Sequence, residues 1–293
     1  MRPSWSTSRA TGFRSSVPYV TTDDRVRLYY EETGSGVPLV FVHEFAGDHR
    51  SWEPQVRYFS RLYRCITFDA RGYLPSDVPD DIEKYSQTRA TDDIGSAISG
   101  LRLGSAHVVG LSMGGYATLH LGIRKPELVR SMVVAGCGYG SEPARRESFQ
   151  QSSATIAGLF ETSGSAVAAD KYANVPPRWP YLRKDPRGWA EFLAQLSEHS
   201  PIGSALTLRG VQMRRSSLWD HVEEMRKITV PTLIVTGDED DPCLEPALLM
   251  KRSIPGSGLV VLPHGGHAIN LEDPEAFNRA VGDFLHAVEL GRW

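Results

Sequence analysis

Ser112 stands at the apex of Gly110-Leu111-Ser112-Met113-Gly114-Gly115, the segment of this chain best suited to covalent chemistry. An apolar run, Ala106 to Val109, precedes it and a helix-like stretch, Tyr116 to Ile123, follows it. A serine at a sharp strand-to-helix turn has its hydroxyl lifted clear of the sheet, beside the free N–H groups of a helix start. Glycine two residues before and two after lets the backbone bend that tightly. A serine hydroxyl is barely acidic at neutral pH, so attack requires a general base within hydrogen-bond reach. The base in turn requires an acid that holds its tautomer.

Nine histidines compete for the role of base. His267 is preferred, because it lies in Pro263-His264-Gly265-Gly266-His267, a glycine-rich loop between the last strand and the last helix. His264 is the runner-up, nearer the strand end and better suited to a structural part. His107 reads as a packed strand residue, and His120, His199, His221 and His286 as helix-face residues. The acid belongs in Gly237-Asp238-Glu239-Asp240-Asp241-Pro242, after the run Val230 to Thr236. Asp240, three residues past the glycine, is favoured over Asp241. The chain order is then Ser, Asp, His. A tetrahedral oxyanion needs two fixed N–H donors. One is the backbone of Met113, and the other comes from His43-Glu44-Phe45-Ala46-Gly47, after the apolar run Val37 to Val42.

These residues need a scaffold that brings distant loops to one edge. Arg25 to Glu31, Val37 to Val42, Arg64 to Phe68, Ala106 to Val109 and Val129 to Ala135 read as strands, with helical spacing at Trp52 to Leu62 and Thr91 to Leu103 between them. Such alternation predicts an α/β, mostly parallel, doubly wound sheet. Regularity breaks after Gly136, and residues 139–227 are predicted to be an inserted helical cap between core parts 17–138 and 228–293. The alternation resumes with Val230 to Thr236 and Leu259 to Leu262, and a last helix is predicted from Pro274 to Val288. Cap aromatics Tyr172, Trp179, Tyr181, Trp189 and Phe192 either line an apolar substrate pocket or pack the cap's own core, with Trp179 the expected substrate contact.

The chain's 293 residues and 41% hydrophobic content suffice for a sizeable core. A net charge of −3 argues against nucleic-acid or membrane binding by bulk electrostatics. No apolar run is long enough to span a bilayer. Residues 1–16 are basic and rich in Ser and Thr without the apolar centre of a secretory signal, so a flexible tail is expected. Three cysteines, Cys65, Cys137 and Cys243, fit no zinc spacing. A cytoplasmic protein without disulfides, metal or cofactor is the expectation, acting on a small molecule, with a homodimer left open.

Taken together, Gly110 to Gly115, Phe68-Asp69-Ala70-Arg71-Gly72, Gly237 to Asp240, and Gly266-His267 followed by Leu271-Glu272-Asp273-Pro274 resemble the α/β-hydrolase superfamily, in its esterase-like branch with a helical cap. The resemblance covers nearly the whole chain from Val17. It implies Ser112 as nucleophile, Asp240 as acid, His267 as base, and the backbones of Phe45 and Met113 as oxyanion donors. Asp69, Arg71 and Gly72 match a motif that supports the neighbouring loop. One departure stands out, since the family usually reads His-Gly where this chain has His43-Glu44. Glu44 either points to solvent or touches substrate. The resemblance implies a cofactor-free serine hydrolase of a small ester or lactone. A carbon–carbon bond hydrolase of a β-diketone-like compound would use the same triad. A ligand receptor that signals through its cap, with a partner protein, belongs to a different class.

Overall fold

The computed structural model describes residues 18–293, so the tail expected over 1–16 lies outside the described residues. Eight strands form one sheet: β1 (Tyr19–Thr21), β2 (Arg27–Thr33), β3 (Val37–Val42), β4 (Tyr63–Phe68), β5 (Ala106–Leu111), β6 (Val129–Ala135), β7 (Thr232–Gly237) and β8 (Gly258–Leu262). Their order is β1-β2-β4-β3-β5-β6-β7-β8. β1 and β2 pair antiparallel, β2 joins β4 antiparallel, and every later pairing is parallel. The architecture is thus α/β with a mostly parallel, doubly wound sheet.

Helices cover both faces. Between the strands of the first half run α1 (Glu53–Phe59), α2 (Gln87–Gly100) and α3 (Met113–Arg124). Between β6 and β7 lie α4 (Arg146–Ser163), α5 (Ser165–Ala173), α6 (Trp179–Lys184), α7 (Pro186–Ser197), α8 (Pro201–Thr207) and α9 (Val222–Met225). α10 (Asp241–Ser253), α11 (Ile269–Glu272) and α12 (Pro274–Glu289) complete the chain. The central strands are buried on both sides, which is why they read as continuous apolar runs. Alternate residues of β3 serve opposite layers. Val40 and Val42 pack with Ile94, Ile98 and Leu119 of α2 and α3, while Leu39 and Phe41 pack with Phe59, Phe277 and Phe284 of α1 and α12. α12 starts at Pro274 with Asp273 accepting from the Ala276 N–H, and it buries Phe277, Val281, Phe284 and Leu285 on one stripe.

Two local differences from the sequence reading have physical causes. α2 begins at Gln87 rather than Thr91, because Ser86 caps it by accepting from the Arg89 N–H. α10 carries Pro242 and Pro246, residues that argue against a helix in sequence. Pro242 occupies the first turn, where an amide hydrogen has no intrahelical use. Pro246 is buried and packs so closely on Gly138 that a Cβ there would sit 2.2 Å from the proline Cβ. Residues 139–227 contain no strand. Leu218 and Met225, near the end of that stretch, pack into the core layer with Val134 and Ile234.

Candidate active site

The turn between β5 and α3 is built from close backbone approach. A Cβ on Gly110 would lie 2.3 Å from the Gly114 carbonyl oxygen, and one on Gly114 would lie 2.1 Å from that of Val42. Only hydrogen fits at either place. Ser112 has φ 54° and ψ −111°, a conformation that an L-residue adopts only when its surroundings impose it. The contact at Gly114 also sets the start of α3 against the end of β3, so the loop carrying Phe45 lies beside Ser112 and Met113.

Three loops at the C-terminal edge of the sheet converge here. Ser112 Oγ donates to His267 Nε2 at 2.9 Å, and His267 Nδ1–H donates to Asp240 Oδ2 at 2.8 Å. Asp240 ends the β7 loop and His267 follows β8. Burial disfavours the charged imidazole, but the Asp240 carboxylate outweighs it and the His267 pKa is raised above 6.5. The loop is fastened from both sides. The Gly266 N–H donates to Glu272 Oε1 at 2.8 Å, and the His267 N–H donates to the Pro177 carbonyl at 2.7 Å. Burial among these groups pushes the Glu272 carboxyl up to about 7. Asp241 points away and pairs with Arg145 at the surface. His264 is exposed with its ring near Glu239, so it takes no part.

Phe45 and Met113 bury their side chains in one cluster. Among the described residues, neither backbone N–H has a hydrogen-bond acceptor. His43 holds the Phe45 loop in place. Its Nδ1–H donates to the Glu44 carbonyl at 2.6 Å, and its Nε2 accepts from the Ala70 N–H at 3.0 Å. Complete burial lowers the His43 pKa, which keeps this neutral tautomer. Tyr73 Oη donates to the Phe45 carbonyl at 3.0 Å. Asp69 accepts from the His49 N–H and ring, and Arg71 bridges Asp24 and Asp93. Asp69 thus ties the end of β4 to the loop after Phe45, and Arg71 ties it to the β1–β2 turn and α2.

Two site expectations are corrected. Trp179 lies on the outer side of α6, 44% exposed, with its indole N–H on Asn174 Oδ1 at 3.0 Å. It does not line the cavity over Ser112. Tyr181, Trp189 and Phe192 pack on one another as a small core, whereas Tyr172 reaches the cavity wall. Glu44 is 1% exposed and paired with Arg178, so it does not face solvent, and Arg178 rather than Glu44 forms the cavity wall. Arg178 is 2% exposed, donates to both carboxylate oxygens, and lies over the rings of Tyr172 and Phe192. Burial disfavours the Glu44 carboxylate, but the charge and hydrogen bonds of Arg178, with the nearby His267 and His43, together hold its pKa below the ordinary value. Glu44 Oε2 also lies 4.0 Å from His267 Nε2. Nothing in the sequence pairs two residues 134 positions apart. The Pro176-Pro177 dipeptide signals a rigid turn before Arg178 but not its partner.

The pair yields a prediction with two readouts. Glu44→Gln leaves the Arg178 charge buried without a counter-ion, which typically costs about 3–5 kcal/mol. Urea unfolding followed by circular dichroism should show that loss. The carboxylate also favours the protonated form of His267, and Arg178 opposes it. Removing the one and uncovering the other lowers the imidazole pKa. The acid limb of kcat/KM, where the base becomes protonated, therefore moves to lower pH in Glu44→Gln. Unchanged stability and an unchanged limb would refute the coupling.

Over Ser112 lies a cavity of about 400 Å³, walled by Ser112, His267, Phe149, Ile156, Tyr172 and Leu208 among others. Among the described residues two groups have the spacing of cation ligands, Asp240 with Cys243 and His267, and Asp48 with His49 and Asp69. In the first, His267 Nδ1 is committed to Asp240, and burial keeps Cys243 a neutral thiol that donates to the Gly136 carbonyl. In the second, Arg50 occupies Asp48 and His49 occupies Asp69. Both sets are thus internally satisfied. No described helix is long and apolar enough to cross a membrane.

A family model described as "Alpha/beta hydrolase family" matches residues 39–280. The AB hydrolase superfamily protein YisY of Bacillus subtilis is 29% identical over 285 residues, covering 92% of this chain and 99% of that protein. The 2-(acetamidomethylene)succinate hydrolase of Mesorhizobium japonicum is 29% identical over 267 residues, covering 90% and 93%. Among solved structures, a thermophilic esterase from Thermogutta terrifontis superimposes with a TM-score of 0.81 at 25% identity, covering 92% of this chain and 98% of that one.

Proposed function

Because the chain belongs to the alpha/beta hydrolase family, we propose that it is a serine hydrolase that cleaves a small carboxylic ester or lactone through an acyl-serine. The observation that carries this reading is the unbroken relay from Ser112 Oγ through His267 to Asp240. The hydroxyl proton passes to His267 Nε2 as Oγ attacks the carbonyl carbon. Asp240 stabilises the imidazolium, and the N–H groups of Phe45 and Met113 receive the developing oxyanion. Collapse of the tetrahedral intermediate breaks the carbonyl-to-alkoxy bond, and His267 returns its proton to the departing oxygen. Water, deprotonated by the same imidazole, then releases the acid and restores Ser112. Nucleophile, base and oxyanion site are all supplied by the chain, so the reaction needs no cofactor. The helical insert between β6 and β7 serves as the cap that walls the cavity and excludes water.

The same triad serves carbon–carbon cleavage of a β-diketone, so the bond cleaved is decided by substrate. The test is a panel of short-, medium- and long-chain p-nitrophenyl esters, lactones and β-diketones, with Ser112→Ala protein as blank. Turnover of esters or lactones that is lost in the blank supports the reading. Turnover confined to β-diketones would move it to carbon–carbon cleavage, and turnover equal to the blank would end it.

A further inference from the structure

Three cations line the cavity over Ser112: Lys171, Arg178 and Arg215. The acid on that wall is Asp240, already bonded to His267. Glu44 neutralises Arg178. Arg215 differs. It is 5% exposed, and among the described residues no carboxylate lies within ion-pair distance of it. One of its N–H groups donates to the Tyr139 carbonyl, and its guanidinium carbon sits 4.3 Å over the Tyr116 ring and 5.3 Å from that of Phe149. Aromatic faces and one carbonyl satisfy part of the guanidinium and leave its full charge without a counter-ion. A buried charge in that state is costly, and a planar fork of N–H donors matches a carboxylate.

Placement adds to this. Tyr116 is one helical turn along α3 from Ser112, and Arg215, over its ring, lines the same cavity as the nucleophile. It follows the π-helical turn Leu208–Gln212, an irregularity that turns Leu208 and Gln212 toward the same cavity. The remaining wall is largely apolar, with Phe149, Ile156, Val175 and Leu208. Lys171 on the same wall is exposed to solvent, so Arg215 is the buried cation there without a counter-ion.

Resting on the serine-hydrolase reading above, we infer that the substrate carries a carboxylate remote from the bond that is cleaved, and that Arg215 anchors it. The apolar wall would hold the connecting carbons.

The experiment compares p-nitrophenyl hydrogen glutarate with the uncharged p-nitrophenyl valerate. The readout is the ratio of their kcat/KM values in wild-type, Arg215→Met and Arg215→Lys proteins. A charge-assisted hydrogen bond in a buried site is worth about 10- to 100-fold. The ratio should fall by that factor in Arg215→Met and be partly restored in Arg215→Lys. A ratio unchanged in Arg215→Met would overturn the anchor and leave Arg215 a structural brace. Should Arg215→Met not fold, Arg215→Gln keeps an N–H for Tyr139 and removes the charge.

A binding arm separates this inference from the hydrolase reading. Monomethyl glutarate and dimethyl glutarate are titrated by calorimetry into Ser112→Ala protein, with and without Arg215→Met. The anchor predicts tighter binding of the monoanion and its loss with Arg215→Met. Equal affinities, or no binding of the monoanion, would overturn it. Absence of turnover on both esters would count against the hydrolase reading alone, because this arm needs no chemistry.

Discussion

Ser112→Ala is expected to lower p-nitrophenyl ester turnover by about 10⁴- to 10⁶-fold, the range seen when a triad nucleophile is removed. Ser112 Oγ is the atom hydrogen-bonded to His267 Nε2, and no other hydroxyl occupies that position. Alanine inherits the same positive φ, so the turn's strain is common to both proteins and the variant should fold. The oxyanion donors and cavity remain in place. Residual turnover should therefore equal what those groups give to attack by water. Steady-state kinetics on p-nitrophenyl butyrate, with a thermal melt as fold control, measures the loss. Near-wild-type turnover by folded variant protein would remove the serine from the mechanism.

Asp240→Asn should cost about 10⁴-fold in kcat while Asp241→Asn changes little. Asparagine can present an N–H to His267 Nδ1, which favours the tautomer that carries its proton on Nε2. That tautomer cannot accept from Ser112. Asp240 is 1% exposed, so no water can take over its role. The Asp241 side chain is 70% exposed and bonds a half-exposed Arg145, an arrangement typically worth at most about 1 kcal/mol. Parallel kinetics on the two variants decides the matter. The reverse ranking would place the acid at Asp241 and contradict the 2.8 Å contact at Asp240.

Much of the scaffold could be read because burial imprints a pattern. β6 spans Val129–Ala135 and β3 spans Val37–Val42, the bounds that their strand-like sequences predict. Buried parallel strands leave little ambiguity about where they start and stop. α10 could not be read, since Pro242 and Pro246 argue against a helix, and Pro246 packs on Gly138, more than a hundred positions away. At the candidate site, glycine spacing singles out Ser112 and His267 because tight turns demand small neighbours, and the structure brings their side chains within 2.9 Å. The side of a helix on which an aromatic sits depends on packing, and Trp179 shows the consequence. Its neighbourhood is aromatic, yet the ring faces outward while Tyr172 faces inward. The partners of Glu44 and Arg215 depend on how the helical insert rests on the sheet edge. Only coordinates reveal that one cation is paired and the other is not.

The acyl-serine claim is tested most directly by intact-protein mass spectrometry with a fluorophosphonate ester, a reagent that phosphonylates an activated serine and expels fluoride. One adduct per chain is expected, mapped to the peptide containing Ser112, absent from Ser112→Ala and strongly slowed in His267→Ala. Labelling at another residue, or no labelling by a protein that still turns over esters, would contradict it.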